Sequence, residues 1–124
     1  MSGSKFLLDT NFVIGLLKGN EQIQNILCDR TVAIDACAYS FITRIELLGF
    51  PAITESEIQG ITKLLSMLQY LPMNQEIEDS TIHIRRHYKL KIPDAIIAAT
   101  AKVNRLELLT LDQQLAHHMA AIMD

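Results

Sequence analysis

The stretch IPDAIIAATAKVNRLELLTLD, residues 92–112, decides the fold. Pro93 suits the first position of a helix, where a missing N–H costs nothing. The segment IPDAIIAATAKVN is strongly apolar and reads as a buried helix. Leu106 to Thr110 then reads as a strand, and Asp112 begins another helix. A buried helix feeding a short apolar strand, and that strand feeding a helix at once, is the unit of a parallel sheet covered on both faces.

The other end of the chain repeats this grammar. Phe6-Leu7-Leu8 is a short apolar run closed by Asp9-Thr10-Asn11, polar residues that favour a turn into a helix N-terminus. Residues 12–18 follow as a helix, stopped near Gly19-Asn20. Residues 21–28 form a second one, with Ile23, Ile26 and Leu27 on one face. Residues 31–42 are rich in β-branched and aromatic side chains and predict a strand at 37–42. Thr43-x-x-Glu46 and Thr54-x-x-Glu57 both match a capping box, in which a hydroxyl and a carboxylate each satisfy an orphan N–H of the first turn. They predict helices opening at Thr43 and at Thr54, the first placing Glu46 in its first turn. Tyr70 to Met73 is a further strand candidate, and Gln75 to Tyr88 a helix. Strands alternating with helices throughout predict an α/β fold with a central parallel sheet.

A length of 124 residues fits one domain, 1–124, with no linker, repeat or low-complexity stretch. At 49% hydrophobic and 20% charged, the composition excludes disorder, and two cysteines exclude a disulfide scaffold. Cys28 and Cys37 read as small core residues of a reduced, cytoplasmic protein. No apolar run approaches the roughly 18 residues of a membrane span. The start, Met1-Ser2-Gly3-Ser4-Lys5, lacks the apolar stretch of a signal peptide.

Four carboxylates occupy one kind of place. Asp9 and Asp112 each follow a strand, and Glu46 and Asp94 each sit near the start of a helix. In an open parallel sheet the carboxyl ends of the strands form one edge, where ligands bind. At least three of these acids should therefore meet in one cleft, although they lie 37, 48 and 18 residues apart. Clustered carboxylates repel unless a hard divalent cation offsets them, and oxygen-only ligands select Mg²⁺ or Mn²⁺. Such ions activate water at neutral pH and stabilise phosphoryl oxyanions, which points to phosphodiester hydrolysis. Each acid also has a local use, because helix N-termini favour carboxylates.

Together these stretches resemble the PIN-domain ribonucleases, most closely the VapC-type toxins of toxin–antitoxin pairs. The matching segments are FLLDTNFVIGLLKG at 6–19, SFITRIELLGF at 40–50, IPDAIIAATAKVNRLELLT at 92–110, and the following Leu111-Asp112. The resemblance implies a Rossmann-like domain with a parallel sheet of four to five strands. It implies a Mg²⁺- or Mn²⁺-dependent endoribonuclease with one or two ions, usually dimeric, and silenced by a VapB-like antitoxin. It assigns the metal-binding acids to Asp9, Glu46, Asp94 and Asp112, with Asp9 and Asp94 as principal ligands. Asn11 and Thr110 match residues that support the site. The family usually continues into one more short strand where this sequence reaches Ala120 to Asp124, so the fifth strand is in question.

A net charge of −3 gives no broad basic field for RNA, although ions in the site would offset the deficit. Arg85, Arg86, Lys89 and Lys91 precede Asp94 closely and form either a patch for RNA backbone or a solvated helix face. His83 and His87 share a zinc-like spacing of four but lack the remaining ligands of such a site. Two other readings stand beside the toxin. One is a PIN ribonuclease of RNA processing without an antitoxin. The other is a non-catalytic, receiver-like Mg²⁺ module, which would want an acid beside Asp9 and a late lysine where Leu111 stands.

Overall fold

The structure, a computed structural model, describes residues 3–124; Met1 and Ser2, the start of the N-terminal stretch read above, lie outside the described residues. Four short strands, β1 (Phe6–Leu8), β2 (Cys37–Ser40), β3 (Gln69–Leu71) and β4 (Glu107–Leu109), form one sheet in the order β3-β2-β1-β4. All three pairings are parallel, with Leu7 opposite Ala38 and Leu108, and Tyr39 opposite Tyr70. The helices are α1 (Thr10–Leu17), α2 (Glu21–Asp29), α3 (Phe41–Leu48), α4 (Glu55–Leu65), α5 (Gln75–Tyr88), α6 (Ile92–Asn104) and α7 (Gln113–Ile122). Among the described residues the sheet has four strands and no fifth follows α7. None of the helices is long and apolar enough to cross a membrane.

Alternation along the strands splits the core into two halves, because successive strand side chains point to opposite faces. Leu7, Ala38 and Leu71 pack with Ile84, Ile97 and Leu115 of α5, α6 and α7. Leu8, Cys37, Tyr39 and Leu109 pack with Phe12, Ile23, Leu47 and Ile61 of α1 to α4. The helix α6 is buried along Ala95 to Ala101, as its apolar composition predicts. A Cβ on Gly15 would stand 2.1 Å from Ile23 Cδ1, so any side chain there would oblige that methyl to swing away between α1 and α2. Gly19, just past α1, turns the chain with a φ of +69°, a conformation that side chains resist.

Several boundaries differ from the sequence reading. Asp9 itself caps α1, its carboxylate accepting from Phe12 N, so the helix begins at Thr10 rather than Phe12. The strand β2 ends at Ser40 and not at Ile42, since the Ser40 hydroxyl accepts from Ile42 N and starts α3 there. Thr43 is therefore not a cap; it is a buried residue inside the helix, and Glu46 lies in the second turn rather than the first. The box at Thr54 and Glu57 forms as predicted, with reciprocal bonds of 3.1 and 3.0 Å. Cys37 is buried, but Cys28 is exposed and belongs to no core.

Candidate functional site

The strand order puts β1 between β2 and β4, so the residues just beyond each of these three strands gather at one edge of the sheet. Asp9 leaves β1, α3 leaves β2 carrying Glu46, and Thr110 and Asp112 leave β4. The first turn of α6 brings Asp94 to the same place. A cleft of about 100 Å³ results, lined by Asp9, Thr10, Asn11, Glu46, Pro93, Asp94 and Ile97. Asp112 stands outside this lining, exposed, where its carboxylate caps α7 by accepting from Gln114 N and Leu115 N.

Asp9 is the innermost acid, only 7% exposed. One oxygen accepts from Phe12 N at 2.8 Å and the other from the Thr110 hydroxyl. Thr110 in turn accepts from Asp112 N at 3.0 Å, so one hydroxyl ties the first acid to the turn that carries the last. Burial pushes the Asp9 carboxyl above its ordinary 3.8, against the pull of these hydrogen bonds, and the charges of Asp94 and Asp112 add to the push. Asp94 is half-buried and is also raised, first by burial and then by Asp112 and Glu46, with Lys91 acting the other way. Among the described residues the Asp94 carboxylate accepts no hydrogen bond. Asp9 and Asp94 therefore each feel the charge of acids carried on other elements of the fold.

Glu46 is exposed but not loose. Its Oε1 accepts from the Thr10 hydroxyl at 2.7 Å, and the Thr10 and Thr43 hydroxyl oxygens lie 3.0 Å apart. Thr10 and Thr43 are the site residues that sequence reasoning missed. Their signal is present, since Thr10 lies within the Asp-Thr-Asn turn and Thr43 three residues before Glu46, but Thr43 reads equally well as a cap.

The donor chemistry here is oxygen throughout, which suits a hard divalent cation. The spacing is open: among the described residues no three Asp, Glu, His or Cys side chains stand close enough together to hold an ion as placed. Asp94, whose carboxylate has no hydrogen bond to give up, is the one free to draw inward toward Asp9.

The basic residues divide. Lys91 stands close enough to Asp94 to act on its charge. Arg85 donates from Nε to the Leu90 carbonyl at 3.2 Å and helps close the end of α5. Arg86 and Lys89 are exposed, and none of the four lines the cleft. His83 and His87 stack on the exposed side of α5 with ring centroids 4.1 Å apart.

Beside the acidic cleft runs a larger apolar groove of about 490 Å³ between α1, α3 and α4. Ile14, Leu17, Leu47, Phe50, Ile53 and Ile61 line it, and Phe50 is 64% exposed there. Thr10 and Glu46 line both the groove and the cleft, so the two spaces adjoin.

Comparison with known proteins gives this geometry a family. A chain of the toxin–antitoxin complex from Klebsiella pneumoniae is 36% identical with a TM-score of 0.73, covering 86% of this chain and 85% of that one. A chain of DNA-bound VapBC from Salmonella typhimurium is 25% identical, with 83% of each chain covered and a TM-score of 0.71. FitAcB from Neisseria gonorrhoeae, at 24% identity, 93% coverage of each chain and a TM-score of 0.75, shares the fold. No curated protein matches the chain. The PIN domain matches over residues 6–120, which run from β1 into α7 and include all four acids, and this chain accordingly belongs to the PIN-domain family.

Proposed function

We propose that the protein is the toxin of a toxin–antitoxin pair, an endoribonuclease that hydrolyses RNA phosphodiester bonds with Mg²⁺ or Mn²⁺ in the cytoplasm. The observation that carries the reading is the cleft at the carboxyl edge of the sheet, lined by Asp9, Glu46 and Asp94 with Asp112 outside it but near enough for its charge to act, where burial and then acidic neighbours raise Asp9 and Asp94. Unpaired carboxylates cost stability, and a divalent cation is the partner that offsets the cost. Asp9 and Asp94 would be the principal ligands, with Glu46 and Asp112 completing the set. When bound, the ion supplies an activated water and charge stabilisation for the phosphoryl group.

The chain's own residues do the positioning. Thr110 holds the Asp9 carboxylate by its hydroxyl. The Phe12 N–H fixes the other oxygen, so Asp9 presents its remaining lone pairs to the cleft. Asn11 is exposed at the rim and offers an amide to a phosphate or base edge. Lys91, with Arg86 and Lys89 behind it, supplies positive charge near Asp94 on which an RNA backbone could rest.

A protein partner is supported by two things. The 36%-identical relative is described as a toxin–antitoxin complex. The apolar groove beside the cleft leaves Phe50 and Leu17 partly bare, as surfaces made for a partner do. We assign that groove to a VapB-like antitoxin segment, whose chain would pass Thr10 and Glu46 and cover the cleft.

Incubation of the purified protein with a mixed pool of structured RNAs tests the reading, with Mg²⁺ or Mn²⁺, with EDTA, and with Asp9→Asn in parallel. Cutting that requires both the ion and Asp9 is the expected result. Equal cutting by the Asp9→Asn variant, or cutting that survives EDTA, would overturn it.

A further inference from the structure

Three threonines are buried within helices, and they use their hydroxyls differently. Thr81 and Thr100 each donate to the carbonyl four residues back, Ile77 O and Ile96 O, at 2.7 Å. This is the usual local use of a threonine inside a helix. Thr43 is completely buried yet makes no such bond; its hydroxyl meets Thr10 instead. Proton counting then fixes the direction. Thr10 donates its single hydroxyl proton to Glu46 Oε1 at 2.7 Å. The Thr10 oxygen is left as an acceptor, and Thr43 must be its donor at 3.0 Å.

We propose that Thr43 and Thr10 form a two-hydroxyl chain, Thr43 to Thr10 to Glu46, that sets the Glu46 carboxylate over the cleft, with Thr10 as the positioning residue. The inference deepens the hydrolytic reading of the cleft and rests on it. Glu46 needs such a device. It is exposed on the second turn of α3, and the only hydrogen bond to its carboxylate among the described residues comes from Thr10. A glutamate without that bond spreads over several rotamers, and ordering it would cost side-chain entropy each time a ligand bound. The chain draws its rigidity from Thr43, whose buried position leaves it no water to turn to. It also joins α1 to α3, so that the acid following β1 and the acid following β2 are set relative to each other. Thr10 and Glu46 border the apolar groove as well, so an occupant of the groove would lie against this same chain.

The rival reading is that Thr10 and Thr43 merely tie two helices together. A cycle of variants separates the two: Thr10→Val, Thr10→Ser, Glu46→Gln and the double variant Thr10→Val/Glu46→Gln. Mn²⁺ affinity is read by electron paramagnetic resonance, and the order of the Glu46 side chain by NMR in metal-free protein. Thr10→Val is expected to weaken Mn²⁺ binding about tenfold, the scale found for residues that orient ligands. Thr10→Ser should restore it, and in the Glu46→Gln background Thr10→Val should change nothing further. Thr43→Val should act in the same direction and more weakly, since the bond from Thr10 survives. An equal loss from Thr10→Val in both backgrounds, or a Glu46 side chain as ordered in the Thr10→Val variant as in the parent, overturns the chain. A parent that binds no Mn²⁺ overturns the hydrolytic reading instead, and the metal-free measurement then still decides whether Thr10 holds Glu46.

Discussion

The sequence Thr-x-x-Glu occurs twice, at 43–46 and at 54–57, and the two copies do opposite things. At the start of α4, Thr54 and Glu57 exchange bonds with each other's backbone N–H and close a capping box. In α3 the helix has already begun at Ser40, so the backbone N–H groups of the first turn are no longer theirs to satisfy. Thr43 turns inward to Thr10, and Glu46 turns to the cleft. One residue type in one spacing thus serves a helix end in one place and a site in the other. The deciding element is neither residue of the pair but where the preceding strand stops.

The largest expected difference lies in activity. Glu46→Gln should lower RNA cleavage by at least about a hundredfold, since it takes a charge from the proposed ion site worth several kcal/mol of stabilisation. Glu57→Gln should leave cleavage unchanged. Equal rates for the two variants would erase the distinction.

The next difference is one of sign against pH. Burial first, and then its acidic neighbours, raise Asp9, so the folded state holds that proton more readily than the unfolded chain does. Its ionisation therefore counts against the fold above the carboxylate range and not below its ordinary 3.8. Metal-free Asp9→Asn, which keeps a competent cap, should melt higher than the parent at pH 7, and the two curves should converge as the pH falls below that value. Hydrogen bonds to Thr54 lower Glu57, which adds stability above its ordinary 4.5 and loses it in acid. Glu57→Gln should accordingly melt slightly lower at neutral pH and not at pH 3. Calorimetry in EDTA across pH reads both, and a lower melting point for Asp9→Asn at pH 7 would contradict a buried Asp9 charge that weighs against the fold.

Smaller still is the cap itself. Thr54→Ala should cost about 1 kcal/mol in urea unfolding and leave cleavage per folded molecule intact.

The repeated motif also marks how far the sequence could be read. The helices α5 and α6 were legible from the isoleucines of the one and the early proline of the other, although Pro93 stands second in α6, after Ile92. Asp9, Asp94 and Glu46 were legible as cleft acids because each lies close after a strand end or helix start, and the parallel order of strands carries them to one edge. The start of α3 was not, because Tyr39-Ser40-Phe41-Ile42 is strand-like throughout while Ser40 and Thr43 can both cap. Pairing with β1, whose Leu8 sits opposite Tyr39, and with β3, whose Leu71 sits opposite Ser40, sets where the strand ends. The hydroxyl chain was hidden for the same reason, since it joins residues 33 positions apart. Cys28 looked apolar by type, but α2 turns Ile23, Ile26 and Leu27 toward the core and leaves Cys28 outside.

The pairing of β4 with β1 has a consequence in time. Thr110 and Asp9, which share a hydrogen bond, are separated by 101 positions. A ribosome making this chain releases Asp9 long before Thr110 and Asp112. Until β4 docks against β1 the Asp9 carboxylate lacks its second anchor and the last acid is absent from the edge. The cleft thus assembles only after β4 has been made, and a fragment broken off before β4 holds three of the acids without the strand that gathers them.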